Sequence, residues 1–396
     1  GTGIWYPDDI ITNDEIVLSF NKYVDNFNEI NKDLISNGSL NQLEHSSVEF
    51  IEKASGIKTR HVVDKKNILD VERMMPSLKH EDESRLSIQD VAGIHAAKKA
   101  MAQANVTPDD IDAVILGTSH NARYYPAVAI EIQNELGIDG YAYDMLVGCS
   151  STTFAINNAY SDIASGLAET ILVVNPEIST PAVNFGKRDI HFIFGDGCVA
   201  SVIKKNSSSE KSFKILDRKL ITQFSNNIRS DWSYLARTAS DYKTAEDLIF
   251  NQNGGSVFKE VCPLVAKFIS TQLEKNDIKV EDISKFWLHQ ANARMINLIV
   301  SKIIGYAQIC AHIYAQICAH TYVHMYVYTY MHTYVHTYVH RYVHTHVHTH
   351  VHTYVHTDVH THMCTHVHIH MHTHMRIHIH TYAHICKRDA EIDKKA

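Results

Sequence analysis

Between residues 87 and 204, short apolar runs alternate with segments of helical periodicity. Residues 113–119 begin with a continuous apolar run, and residues 171–175 contain another, which is typical of strands covered on both faces. Residues 127–136 have helical spacing, and residues 141–147 form a further strand-like run. Strands that alternate with helices predict a layered α/β fold.

Before residue 110 the sequence predicts helical segments that are separated by a short extended piece at residues 59–63 and a charged loop at residues 74–86. Residues 13–53 are polar with helical spacing around a loop at residues 37–39, and Gly56 ends a helix. Ser87 is positioned to cap the next helix, because its hydroxyl can accept an unpaired N–H of the first turn. That helix is predicted to carry Val91, Ile94 and Met101 on one side, with alanines filling the space between them.

The later part of the chain has a similar order of elements. A helical pattern over residues 257–268 precedes a predicted strand at residues 285–288. A second helix follows Asn292 and ends at Gly305. In each part a chemically reactive residue follows a predicted strand, Cys149 in the first and His289 in the second. This weak similarity between the two parts indicates an internally duplicated fold with one site between its halves.

Cys149 lies where a strand-like run turns into a helix. The sequence Val147-Gly148-Cys149-Ser150 predicts a tight turn, and Gly166 marks the helix C-terminus. A helix N-terminus carries partial positive charge, so we expect the thiol to be shifted toward thiolate and to act as a nucleophile. A buried structural cysteine is the alternative.

Composition narrows the possible functions. The formal net charge of -7 predicts no general interaction with nucleic acid. No secretion signal or membrane-length apolar stretch is recognised, and the widely separated Cys149, Cys198 and Cys262 follow no metal or disulfide spacing. We therefore expect a cytoplasmic protein with no metal site in its globular part.

Five ordered motifs occur over residues 1–305: Gly1-Thr2-Gly3 with Pro7, residues 50–57, the turn at Cys149, Phe194-Gly195-Asp196-Gly197, and Trp287-Leu288-His289-Gln290-Ala291-Asn292. Together they resemble the β-ketoacyl-acyl-carrier-protein synthase III family of thiolase-like condensing enzymes. The resemblance implies an α/β fold of the thiolase-like duplicated α/β/α/β/α type.

The resemblance also implies decarboxylative condensation in the initiation of fatty-acid synthesis. Cys149 would accept an acyl group from coenzyme A, and His289 would stabilise the enolate formed from malonyl-acyl-carrier protein. The coenzyme A thioester is a substrate, so no cofactor is implied. A homodimer is expected from the family alone.

Two arginines match family positions less specifically. Arg188 lies where the family places an arginine beside the adenine of coenzyme A, and Arg294 lies where a basic residue docks the carrier protein. A solvated surface charge is the alternative for either side chain. The glycine-flanked Asp196 is predicted to belong to a structural turn, because a full phosphate-binding fingerprint is lacking.

From Ala307 to Cys386 the sequence departs from the family. Thr, Val, Ile, Met or Ala alternates with His, Tyr, Cys or Arg, with four exceptions: Arg341, Gln308, Gln316 and Asp358. Such a pattern is expected from a translated alternating purine-pyrimidine repeat. The functional alternative is a β-ribbon with one histidine face that binds zinc, copper or nickel. The remaining alternative is that this segment aggregates.

The repeat replaces the family's Gly-Asn-Thr/Ser loop and its last strand. We therefore expect impaired folding or condensation. The alternatives are a polyketide starter synthase, a hydroxymethylglutaryl-CoA-synthase-like acyltransferase, and a non-catalytic remnant with a metal-binding tail.

The predicted segments are an N-terminal half (1–205), a partial C-terminal half (206–306), the low-complexity repeat (307–386) and a charged end (387–396).

Overall fold

The computed structural model describes residues 1–78, 86–205, 212–230 and 250–305, all within the unit Gly1–Ile309. The repeat over residues 307–386 and the charged end lie outside the described residues. The predicted division of the chain into four segments therefore stays a prediction.

Strands and helices alternate along most of this unit. The strands are β1 (Thr2–Trp5), β2 (Ile10–Thr12), β3 (Thr59–His61), β4 (Ala113–Thr118), β5 (Tyr141–Leu146), β6 (Thr170–Ile178), β7 (Asp196–Lys204), β8 (Ile228–Ser230) and β9 (Phe250–Gln252). The helices are α1 (Asn13–Ile30), α2 (Lys32–Ser36), α3 (Val48–Ser55), α4 (Lys65–Ile68), α5 (Ile88–Ala104), α6 (Val128–Leu136), α7 (Ser151–Ser165), α8 (Gly254–Lys275) and α9 (Ala293–Ile304). Most predicted elements up to residue 204 are confirmed.

A five-stranded mixed sheet forms the centre of the unit, in the order β1-β7-β6-β4-β5. Strand β4 is parallel to both β5 and β6, whereas β7 is antiparallel to β6 and to β1. All six residues of β4 are buried, as its continuous apolar run predicts.

Helices cover both faces of this sheet. Val114 and Leu116 of β4 join a cluster formed with α5 and α6, while Ala113 and Ile115 join one formed with α7. Alternate residues of one strand therefore enter two different cores. The result is the layered α/β architecture that the sequence predicts.

Helix α5 buries its alanines and Met101, and Val91 is the residue of the predicted side that lies exposed. Ser87 caps it through a reciprocal pair with Asp90, as expected. Its buried side is rich in alanine, whereas Val91 is 36% exposed, Ile94 is partly buried and Met101 is buried. Small residues are selected here because β1 lies very close to the helix: a Cβ placed on Gly3 would collide with the backbone of α5 at Ala96 and Ala100.

A separate core lies under the N-terminal helices. It contains Ile16 and Phe20 of α1 and Ile51 of α3, packed against Phe185 and Phe192 from the segment between β6 and β7. Gly56 ends α3 with a φ of 80°, as the sequence predicts.

The later part of the described chain departs from prediction at one element. Helices α8 and α9 form as expected and pack together around Cys262, Met295 and Ile299. The predicted strand at residues 285–288 is absent, and these residues have no regular secondary structure. Within the described ranges after residue 205, strand pairing is limited to β8 with β9, so residues 285–288 lack a neighbouring strand with which to form a ladder.

No helix among the described residues is long and apolar enough to cross a membrane.

Candidate active site

The turn at Cys149 connects β5 to α7 at one end of the central sheet. Gly148 has a φ of 55°, a conformation that favours glycine, and a short 3-10 turn, Gly148–Ser150, leads into the helix. The Ser151 hydroxyl oxygen lies 2.9 Å from the Thr118 carbonyl oxygen and 2.7 Å from that of Gly148, and it accepts the Val147 N–H at 2.9 Å. Ser151 thus fixes the turn to the end of β4.

Close packing holds the turn against the sheet. A Cβ on Gly117 would lie 2.7 Å from the Ser151 carbonyl oxygen and 2.9 Å from Nδ2 of Asn175. The Asn175 side chain in turn donates to the Gly117 carbonyl oxygen at 2.9 Å. Sequence reasoning missed these supporting residues, because their importance comes from strands that are distant in sequence.

The Cys149 residue is exposed to solvent, but the pKa of its thiol is shifted in the direction opposite to our expectation. Partial desolvation by the surrounding chain raises the pKa, and the nearby Glu177 carboxylate raises it further. The backbone N–H of Cys149 favours the thiolate but is outweighed. The thiol therefore rests in its protonated form at neutral pH.

Glu177 is the titratable neighbour that the sequence did not reveal. It lies near the C-terminal end of β6, and its Oε1 accepts the Ser119 N–H at 2.9 Å and lies 3.2 Å from the Ser119 hydroxyl. Desolvation raises its pKa to about 7, although the Ser119 donors favour the charged form. A carboxylate that titrates near neutrality thus interacts with the predicted nucleophile.

His289 lies in the irregular segment before α9. Phe286 and Leu288 pack against the α8 and α9 core, whereas Trp287 and His289 are exposed. Desolvation lowers the pKa of His289, so its imidazole is neutral at pH 7 and can donate one N–H.

The described structure does not link the two predicted catalytic side chains directly. No hydrogen bond or ion pair within the described ranges joins Cys149 to His289, and none joins either residue to Arg188 or Arg294.

The two predicted binding arginines have different surroundings. Arg188 donates from Nε to the His45 carbonyl oxygen at 2.7 Å, and its guanidinium lies 4.0 Å from the centre of the Phe50 ring. Arg294 is exposed in the first turn of α9 and forms no ion pair with a described residue.

Asp196 has a structural role in the glycine-flanked motif. Its carboxylate accepts the N–H groups of Val63, Ser179 and Thr180 at 2.8–2.9 Å and the Thr180 hydroxyl at 2.7 Å. Its role is structural, as predicted, but the predicted turn is wrong in position, because Asp196 and Gly197 belong to strand β7. Within the described ranges, no group of three or more His, Cys, Asp or Glu side chains is arranged to hold a metal ion.

Comparison with known proteins shows to which protein family this chain is related. Residues 143–223 match the family described as 3-Oxoacyl-[acyl-carrier-protein (ACP)] synthase III. A Beta-ketodecanoyl-[acyl-carrier-protein] synthase from Pseudomonas aeruginosa is 45% identical over 289 residues, which cover 72% of this chain and 83% of that protein. A Beta-ketoacyl-[acyl-carrier-protein] synthase III from Brucella anthropi is 30% identical over 278 residues, covering 69% and 77%.

Solved structures support the fold. The 3-oxoacyl-(acyl carrier protein) synthase III of Pseudomonas aeruginosa PAO1 superposes with a TM-score of 0.58 at 18% identity, covering 76% of this chain and 78% of that one. The priming β-ketosynthase of the R1128 polyketide pathway gives 0.55 at 22% identity, covering 78% of each chain.

The layered α/β fold, which these structures share, is that of the thiolase-like condensing enzymes. Within this class, the chain belongs to the β-ketoacyl-[acyl-carrier-protein] synthase III family, whose members are acyltransferases.

Proposed function

We propose that this chain accepts an acyl group from coenzyme A on Cys149, which is the first step of a condensation with malonyl-acyl-carrier protein. We propose that the second step is impaired, because the sequence lacks the Gly-Asn-Thr/Ser loop of the family. The observation that carries the proposal is the rigid turn, which holds Cys149 at the end of the sheet in a chain 45% identical to a carrier-protein-dependent synthase. The alternative starter-synthase activities have no comparable support, because the R1128 likeness concerns the fold alone.

In the first step the Cys149 sulfur attacks the thioester carbonyl carbon. The bond from that carbon to the coenzyme A sulfur breaks, and coenzyme A leaves as a thiol with the proton that Cys149 gives up. The backbone N–H of Cys149 is a donor for the oxyanion that forms.

In the second step the malonyl group loses carbon dioxide and its electron pair remains as an enolate. A neutral His289 can donate to the enolate oxygen, and the lowered pKa of this side chain supports that role. The enolate carbon then attacks the acyl carbonyl, and the bond to Cys149 breaks to give a β-ketoacyl carrier protein.

We infer a medium-chain acyl primer. The Pseudomonas aeruginosa relative is named for a ten-carbon β-keto product. Decarboxylated malonate contributes two of those carbons, so the corresponding primer carries eight. Octanoyl-CoA is therefore the substrate to test first.

Incubation of the full chain with acetyl-, octanoyl- and palmitoyl-CoA, followed by mass spectrometry, tests this first step. We expect an octanoyl adduct on the peptide that contains Cys149, no adduct in the Cys149→Ser variant, and an unchanged adduct in Cys262→Ser. Failure of all three thioesters would contradict the proposed function, and modification by acetyl-CoA alone would overturn the inferred chain length.

We propose that Arg188 contacts coenzyme A and that Arg294 contacts the carrier protein. The Arg188 contacts with His45 and Phe50 orient its guanidinium, and its remaining N–H groups have no acceptor among the described residues. The exposure of Arg294 suits an acidic partner. The Arg294→Glu variant should bind carrier protein more weakly in fluorescence anisotropy, while Lys302→Glu, at the other end of α9, should bind almost normally.

A homodimer is also proposed. Among the described strands, β5 is the outer strand of the central sheet on one side, and its residues Tyr141, Tyr143 and Met145 are only partly buried. An unpaired edge with apolar side chains favours association with a second copy. Sedimentation equilibrium of the full chain should give twice the monomer mass.

A further inference from the structure

Strands β4 and β6 end beside the Cys149 turn and are tied together there. The Thr118 hydroxyl donates to the Pro176 carbonyl oxygen at 2.8 Å, joining the end of β4 to that of β6. The Ser151 hydroxyl lies 2.9 Å from the carbonyl oxygen of the same threonine. Thr118 therefore links the nucleophile's turn to the strand that carries Glu177.

Ser119, the next residue after β4, anchors the Glu177 carboxylate. Its N–H and hydroxyl both contact Oε1 of Glu177, at 2.9 Å and 3.2 Å. Among the described residues no cation forms an ion pair with this carboxylate, so its charge is not neutralised locally. A half-buried, unpaired carboxylate acts on its neighbours more strongly than one in water.

Two thiols interact with this charge. Cys149 on the turn and Cys198 on β7 both have their pKa raised, first by desolvation and also by Glu177. Cys198 is 2% exposed and its pKa is about 12, so it stays unreactive. Cys149 is exposed, so Glu177 can change its reactivity.

We propose that Glu177, anchored by Ser119, is a positioning residue that acts through Cys149 by controlling the protonation of its thiol. Above neutral pH the carboxylate is charged and holds the resting thiol in its protonated form. Below neutral pH the carboxyl is protonated and this influence disappears. The inference rests on the proposed role of Cys149 as the nucleophile.

The functional consequence is protection of the resting site. A thiol reacts with electrophiles and oxidants only as thiolate. Glu177 limits that form above neutral pH, so the resting cysteine resists unproductive modification there.

The test is the rate of iodoacetamide alkylation of Cys149 in the full chain, between about pH 6 and pH 9, followed on its own peptide by mass spectrometry. We expect wild type and Glu177→Gln to react equally below neutral pH and to diverge above it, with the variant several-fold faster. The amide retains an oxygen that can accept from Ser119, so the anchor is preserved.

Three further variants complete the test. Glu169→Gln removes an exposed carboxylate just before β6 and should react like wild type at every pH. Glu177→Asp retains the charge and should restore the slow reaction above neutral pH, which makes it a second readout if Glu177→Gln folds poorly. In Cys149→Ser the alkylated peptide should be absent.

Equal rates for wild type and Glu177→Gln at all pH values, or a constant ratio between them across the range, would overturn the inference. A constant ratio would indicate a change in access to the thiol. Alkylation does not require acyl-CoA or carrier protein, so this result is independent of whether octanoyl-CoA acylates Cys149.

Discussion

Asp196 connects three segments of the chain through one carboxylate. It begins β7, and it accepts hydrogen bonds from Val63 after β3 and from Ser179 and Thr180 after β6. The residue is 6% exposed, so the four donors have little access to water. The four donors therefore depend on the Asp196 carboxylate oxygens as acceptors, although desolvation raises the pKa of this carboxyl group.

The Asp196→Asn variant should lower the free energy of unfolding by about 2–4 kcal/mol. The new amide group places N–H donors against N–H and O–H donors, and it leaves buried polar groups without partners. Urea denaturation measures the loss. The exposed Asp109→Asn should change stability little, and an equal loss in both variants would show that the network is unimportant.

Glu177 makes stability depend on pH. Its pKa is about 7 in the folded chain and about 4.5 when solvated, so its contribution is fully present below about pH 4.5 and is lost as the pH rises through 7. The Glu177→Gln variant should therefore be more stable than wild type at pH 8, by about 1–2 kcal/mol after allowance for solvent screening, with no difference at low pH. Urea titrations at both pH values measure this, and a variant that is less stable at pH 8 would contradict it.

At the scale of elements, contacts between elements decide what each residue does. Helix α6 begins after Ala127, which has no capping side chain. The Asp144 carboxylate of β5 instead accepts the Val128 and Ala129 N–H groups at 2.9 Å and 2.8 Å. A strand thus supplies the cap that the helix's own sequence lacks.

The contact between β1 and α5 gives an element-scale prediction. Gly3→Ala should lower the free energy of unfolding by about 1–3 kcal/mol, because the added methyl group forces the helix away from the strand. Thermal unfolding measures the effect. Gly254→Ala, at the open start of α8, is the matched control and should be neutral or slightly stabilising.

At the scale of the whole molecule, the described residues support the proposed acylation step better than the proposed condensation step. The central sheet and the Cys149 turn lie within the described residues. His289 instead lies on a segment that pairs with no described strand, and the sequence has no counterpart of the family's Gly-Asn-Thr/Ser loop.

We therefore expect the full chain to acylate Cys149 but to release no β-ketoacyl product from malonyl-acyl-carrier protein. A chimera in which residues 306–396 are replaced by the C-terminal part of the Pseudomonas aeruginosa relative should release that product. Product formation by the unaltered chain at the rate of the chimera would show that the missing loop is dispensable.

The sequence by itself determined the elements whose signals are local. The apolar run of β4, the Ser87 cap and the glycines at residues 56 and 166 depend on neighbouring residues alone, and the ordered motifs identified the family. The same motifs predicted Cys149 and His289 as site residues, and these assignments remain predictions.

Only the tertiary structure decided features that depend on residues distant in sequence. The buried face of α5 follows the closeness of β1, and the segment at residues 285–288, predicted to be a strand, has no ladder partner among the described residues. The raised pKa of the Cys149 thiol comes first from desolvation and then from Glu177, which is 28 positions further along the chain on a strand that pairs with β4. Side-chain periodicity is a local property, whereas pairing, desolvation and charge interactions arise when the chain folds.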